Sequence, residues 1–415
     1  MLHVLPLSVA ADGVFTLSDR TEARARAPDP ITNALALDVD TLMDARAVWK
    51  TPQATYTVAD LPRFTLLDYN GAAIQPAVMD SLVLAAEWRL HRVRLRVSEN
   101  ASYGQMSFES LPVLAATLGA PTPTPTPTGQ PPPVQTATQV PLTTQSILFA
   151  SSDTSVGSTL DLRPWTLIPR AGYLLAGGVN AAAEQVLPLG QGPYLDALAD
   201  YKLGARNHLQ TYLSASETSF SSGTDDLLLE VDERWRHAWS GKTQTMLAAG
   251  WYAARTRAAF GAPDVFASNA VAEAEFDHTF FRGVNTADVR LDLRLAPFIN
   301  RLTGLVDEQI RGTVEAGWAH RKVKIRAFAS AAESTVQGTA TSTQLGLAEI
   351  DIAYKFSEAL TVDGGFRALY QEQNFLGAPP AGSAPTDTSL PIVQSSLSQG
   401  VVFIAVTVRA LKTKL

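Results

Sequence analysis

Glu273, Glu275 and Asp277 stand two residues apart, and so do Arg290, Asp292 and Arg294. The spacing recurs in Glu230, Asp232, Arg234 and Arg236, in Glu87 and Arg89, and in Arg94 and Arg96. It continues in Lys324 and Arg326, in Glu349 and Asp351, and around Glu315 and Arg367. Carboxylates and guanidiniums in such rows can pair with one another as a salt-bridged lining. They can also present a mixed-sign polar wall to hydrophilic cargo. Pairing is the expectation for any single residue; taken together, the rows predict a hydrated interior.

Catalytic chemistry lacks a comparable signal. No G-x-S-x-G elbow, Walker loop, H-E-x-x-H pair or EF-hand loop occurs. The six histidines are far apart in sequence, and an enzyme would need a Ser or Asp beside one of them near a rim. The chain has no cysteine, which excludes disulfides, thiolate metal sites and Cys nucleophiles. Gly177-Gly178 and Gly364-Gly365 read as strand bends rather than phosphate cradles. The expectation is therefore a protein that is not an enzyme, with no cofactor and no metal. The net charge of −7 argues against a nucleic-acid partner, which would call for a basic patch.

Charges at every second position need strands, because successive side chains of a strand point to opposite faces. From Val284 to Asn300, Asp288, Arg290, Asp292 and Arg294 alternate with Val289, Leu291, Leu293 and Leu295. Glu230, Asp232, Arg234 and Arg236 oppose Leu229, Val231 and Trp235, while Glu233 falls on the apolar side and is expected at a rim. In Leu35 to Lys50, Asp38, Asp40, Asp44, Arg46 and Lys50 share one face. Arg311 accompanies Glu315, and Asp363 accompanies Arg367. If the strands at Glu273 and Arg290 pair, an acidic row meets a basic one.

No apolar run is long enough for a membrane helix, yet 46% of the residues are hydrophobic. Alternating segments of bilayer-crossing length recur along nearly the whole chain. An Arg or Lys facing lipid at the midplane costs roughly 2–4 kcal/mol, so the charges should point inward and the oily face outward. The reading is an all-β fold, a closed antiparallel transmembrane β-barrel of about 18 strands, with outer-membrane lipid around it. Short turns such as Thr51-Pro52-Gln53, Gly241-Lys242 and Arg321-Lys322 alternate with longer connections. Pro62 interrupts one run and predicts a bend there. Trp49, Trp88, Trp165, Trp235, Trp239 and Trp318 lie mostly beside the short turns, where an interfacial girdle belongs. Residues 1–12 read as a signal-peptide remnant, and 13–415 as a single barrel domain. Within it, 105–144 is a long Pro/Thr-rich loop.

The texture resembles bacterial outer-membrane β-barrels over nearly the whole chain. Trp88 to Gly104, W-R-L-H-R-V-R-L-R-V-S-E-N-A-S-Y-G, is similar to a narrower group, as are Val186 to Tyr201 and Leu227 to Ser240. That group is the large barrels encoded with myxobacterial-type polysaccharide export systems. The resemblance implies about 18 strands and an outer-membrane pore. It also implies a periplasmic polysaccharide-export partner that lacks its own membrane-spanning part. Many such barrels end on an aromatic residue, whereas the last aromatic here is Phe403. The functional expectation is an outer-membrane channel for export of a hydrophilic polymer, most of all a polysaccharide. The alternatives are a small-solute porin or receptor, and a plugged structural or adhesion barrel displaying the Pro/Thr loop. A loop constricting the lumen would point to the first; a lumen filled by paired Arg and Glu side chains would point to the second.

Overall fold

Alternation of oily and charged residues produces strand after strand in a computed structural model of the chain. It describes residues 12–26, 36–67, 75–107, 146–257, 264–282, 285–300, 304–336, 342–374 and 394–414. The first strands are β1 (Asp12–Arg26), β2 (Ala36–Lys50), β3 (Ala54–Asp60), β4 (Arg63–Leu67), β5 (Gln75–Leu90) and β6 (Val93–Ser107). Then come β7 (Ser146–Leu162), β8 (Trp165–Gly178), a short helix α1 (Ala181–Val186), β9 (Gly190–Lys202) and β10 (Asn207–Phe220). Next are β11 (Asp225–Ser240), β12 (Thr243–Arg257), β13 (Val265–Arg282), β14 (Asn285–Asn300) and β15 (Leu305–His320). The last four are β16 (Val323–Val336), β17 (Ser342–Lys355), β18 (Leu360–Asn374) and β19 (Gln394–Lys414).

Consecutive strands pair antiparallel, and β19 pairs back onto β1, with Glu22 opposite Ala405 and Arg24 opposite Phe403. The sheet is thus closed. Strands β3 and β4 both lie between β2 and β5 and are separated only by Leu61 and Pro62. They form one crossing, so the barrel has 18. The Pro62 bend expected from sequence is this break. Pro62 has no N–H for the ladder, but its carbonyl accepts from Met43 N at 3.0 Å, and Leu61 N donates to Ser81 O at 2.8 Å. Residues 105–107, expected at the start of the long loop, instead extend β6, with Ser107 opposite Ser146. Residues 1–11 and 108–144, which hold most of the signal-peptide and Pro/Thr-loop readings, lie outside the described residues.

The two faces are inverted relative to a water-soluble domain. Leu293 is 57% exposed and Ile404 58%, whereas Glu22 and Asp232 are each 2% exposed. Apolar side chains exposed all round a closed sheet have hydrocarbon as their solvent, and the charges point to the inside. The start of β1 and the end of β19 lie at the short-turn end, since Asp12 sits opposite Lys50 and Val14 opposite Lys414. In bacterial barrels that end faces the periplasm. An aromatic girdle marks it: Trp88 meets Tyr56 edge-on at 6.2 Å, and Trp165 meets Tyr201 at 4.6 Å. His237 lies between Trp235 and Trp239, and His320 stacks on Trp318.

Candidate functional site: the charged inner wall

The strand register puts the candidate charged residues named above, Glu233 apart, on the face opposite the exposed apolar side chains. Three arcs of that inner face differ in how the charges are satisfied.

Along β11 to β15 acid and base rows interlock. Strands β13 and β14 pair as expected, with Glu273 opposite Arg294 and Asp277 opposite Arg290. Arg234 Nε donates to Asp232 at 2.5 Å, lies 4.0 Å from Glu273 and covers the Tyr212 ring at 4.5 Å. Arg290 reaches Glu275 at 3.0 Å and Asp277 at 3.8 Å. Arg294 lies 3.6 Å from Glu230, and Arg311 lies 3.5 Å from Asp292. Glu273, Glu275 and Asp292 bring carboxylate oxygens within 4.8 Å of one another, but Arg234, Arg290 and Arg311 already stand against this trio.

A second arc runs from β17 across the closure to β4. Arg367 joins Glu349 and Glu22, both at 2.9 Å, and covers the Phe403 ring at 4.2 Å. Glu22 also meets Arg24 at 2.6 Å and Arg20 at 3.0 Å, and Arg20 reaches Asp363 at 2.6 Å. Arg24 continues to Asp40 at 2.6 Å, where Arg63 binds at 2.6 Å and Thr65 donates at 3.0 Å. Arg20, Glu22 and Arg24 were not singled out from sequence, although their spacing carries the same alternation. Arg63 gave no signal, because the five residues of β4 are too few to show a period.

The third arc, β5 and β6, is sparsely paired. Glu87 and Arg89 meet at 3.0 Å, while Arg94 and Arg96 have no carboxylate within ion-pair reach among the described residues. The same holds for Arg236, Lys324 and Arg326 among the bases and for Glu315 and Asp351 among the acids.

Two outward carboxylates are held by neighbouring hydroxyls. Glu233 was expected at a rim but lies midway along β11, accepting from Thr211 Oγ1 at 2.7 Å. Glu99 accepts from Ser152 Oγ at 2.7 Å and from Thr154 Oγ1. A donor on the adjacent strand keeps such a group from being left bare.

At the long-connection end, the β14–β15 hairpin folds into the lumen. Its pairing with β13 stops at Ala272 opposite Leu295, although β13 continues to Val265 and β14 to Asn300. The freed segment crosses the inner face of β13 to reach β11 and β12. Tyr252, fully buried, donates to Glu308 at 3.1 Å, and Asn269 Nδ2 donates to it at 2.6 Å. Ala296 and Val306 pack with Leu228, Ala254, Ala267 and Val271. Gly304, at φ +64°, lies against Phe220 and Thr224, where a side chain would be strained. Helix α1 lies against β7 and β8 nearby, with Ala183 and Leu187 buried and Asn180 Oδ1 accepting from Ala183 N at 2.8 Å. Gly178 abuts Ala183, so the Gly177-Gly178 pair admits this helix.

Among the described residues one Asp–His contact exists: His208 Nδ1 lies 3.1 Å from Asp200, which also accepts from Gln210 Nε2 at 3.1 Å. Among the described residues no hydroxyl is hydrogen-bonded to His208, so the pair has no nucleophile in place.

No curated protein matches the chain. Among solved structures it is similar to Pseudomonas aeruginosa OpdO, at 12% identity and a TM-score of 0.46, over 97% of this chain and 98% of that one. It is similar to Pseudomonas aeruginosa OccK2 (OpdF), at 11% identity and 0.45, over 97% and 98%. Acinetobacter baumannii OccAB3 follows at 8% and 0.44, over 97% and 100%. The exopolysaccharide export family EpsX has a model that matches residues 5–382. A closed barrel with an oily exterior and a charged inner wall, matched over that length, is a polysaccharide-export channel of the bacterial outer membrane, and the chain belongs to the EpsX exopolysaccharide export family.

Proposed function

We propose that the channel acts as a passive conduit: the polymer passes through a hydrated lumen, directional work is done elsewhere, and no covalent step occurs in the barrel. The observation that carries this reading is the inner wall itself, where charged side chains are fixed mainly by one another. A wall of pre-formed ion pairs offers hydrogen-bonding groups to a sugar chain without binding it tightly, which suits passage. The candidate residues from Glu87 to Arg367 are the wall in this reading, and none acts as a catalyst. A periplasmic polysaccharide-export partner would deliver the polymer at the short-turn end.

Because the chain has no cysteine, single Cys replacements test the lumen directly. In planar bilayers, R96C should lose conductance on treatment with a charged thiol reagent, and L293C should not. A barrel that conducts no ions, even with the long connections deleted, would overturn the conduit. Deletion of the gene should abolish surface polysaccharide, and unchanged export would exclude an essential role. The inward hairpin favours a second reading, a small-solute porin. A sharp cut-off against oligosaccharides longer than a few sugars would support it over the polymer channel.

A further inference from the structure

Inside the wall most guanidiniums meet carboxylates, and Arg236 and Arg326 stand singly among those that do not; on β5 and β6 the guanidiniums face one another. On β5 and β6 Arg89 stands directly opposite Arg94, and Glu87 opposite Arg96. Like charges facing each other across two strands are destabilising, so this pair adds nothing to the fold. On the next strand Arg94 lies opposite Thr159 and Arg96 opposite Gly157, and Asp161, diagonal to Arg94, makes its ion pair with Arg163 at 3.4 Å. Glu87, the carboxylate nearest, is already engaged by Arg89 at 3.0 Å. All three guanidiniums are solvent-exposed, Arg89 with 60% of its side chain, unlike Arg234 or Arg24. They flank the His91–Arg92 turn and therefore stand at the periplasmic mouth, where a polymer enters.

We propose that Arg89, Arg94 and Arg96 form an entry site for an anionic polysaccharide, binding carboxylate, sulfate or phosphate groups borne on its sugars. Guanidiniums suit this work, because they recognise such oxyanions through paired N–H donors and stay charged at every physiological pH. Their exposure keeps each contact weak and exchangeable, as a moving chain requires. This inference rests on the conduit reading and names its cargo class.

The test uses the full chain in planar bilayers, with oligogalacturonate as anionic probe and maltohexaose as neutral probe, added at the short-turn side. Oligogalacturonate should block the current at lower concentration than maltohexaose, and the block should weaken as salt rises. R94Q/R96Q should raise the half-blocking concentration of oligogalacturonate about tenfold, leaving maltohexaose unaffected. E87Q, which removes the nearby acid, should strengthen the block. A β-sheet circular dichroism spectrum and heat-modifiable gel migration matching wild type check that the barrel of each variant has assembled. Equal block by both probes, or an unchanged block in R94Q/R96Q, would overturn the anionic site while leaving the conduit intact. A wild-type barrel that never conducts would overturn the conduit and this site with it.

Discussion

The seam where β19 meets β1 and the arc of β5 and β6 are built from the same residues to opposite ends. At the seam Glu22, 2% exposed, is touched by Arg20, Arg24 and Arg367, and the chain of contacts runs on to Asp40 and Arg63. On the inner face of β5 and β6 three arginines stand beside one acid, Glu87, which meets only Arg89. Sharing makes the seam favourable, since each buried charge keeps several partners and its lost hydration is offset. Leaving arginines in water costs little and leaves them available. The difference separates side chains that hold the cylinder closed from side chains free to meet what passes through it.

Breaking the seam should have the largest effect. Glu22→Leu takes one carboxylate away from three guanidiniums, each left with a single partner, and should cost about 3–5 kcal/mol. Denaturant unfolding of the barrel in lipid vesicles reads this, and a loss under about 1 kcal/mol would mean that the network does not secure closure. Next comes the inside-outside contrast. Leu293→Arg puts a charge against lipid and should cost about 2–4 kcal/mol, whereas Thr313→Arg on the inner face should be nearly silent in the same assay. Equal costs would contradict the assignment of faces. Tyr252→Phe removes one bond to the inward hairpin and should lose about 0.5–1.5 kcal/mol. Its open-channel current should be noisier, and an unaltered trace would show the hairpin to be anchored by its apolar contacts and the Asn269 bond without Tyr252. The smallest effect is expected for Arg94→Gln with Arg96→Gln, within about 0.5 kcal/mol of wild type. A large loss there would erase the distinction between the two regions.

Strand positions, facing and crossing number were legible because one period governs them all, and lipid outside enforces it. The charged rows on β11, β13 and β14 were legible for the same reason. What the period could not convey was partnership. Arg290 reaches back to Glu275 rather than only to Asp277 opposite, because long side chains choose diagonal partners that spacing does not encode. Glu233 showed the limit from the other side: a hydroxyl on a neighbouring strand let a charge stay on the oily face. Helix α1 is too short to display a helical repeat. The inward hairpin did leave a trace, since Leu295-Ala296-Pro297-Phe298-Ile299 abandons alternation where both sides of the strand become covered.

The departure of β14 from β13 has a consequence for how the molecule comes apart. Beyond Ala272, one side of β13 carries backbone with no strand beside it, and Ala270 N–H turns to the side chain of Asn269 at 2.8 Å. Among the described residues the zipper also stops short where β19 runs past its last partner on β1 at Val401. Amides of residues 265–271 that face away from β12 should therefore trade their protons for deuterium well before those of β1, making this short edge a place where fraying of the wall starts.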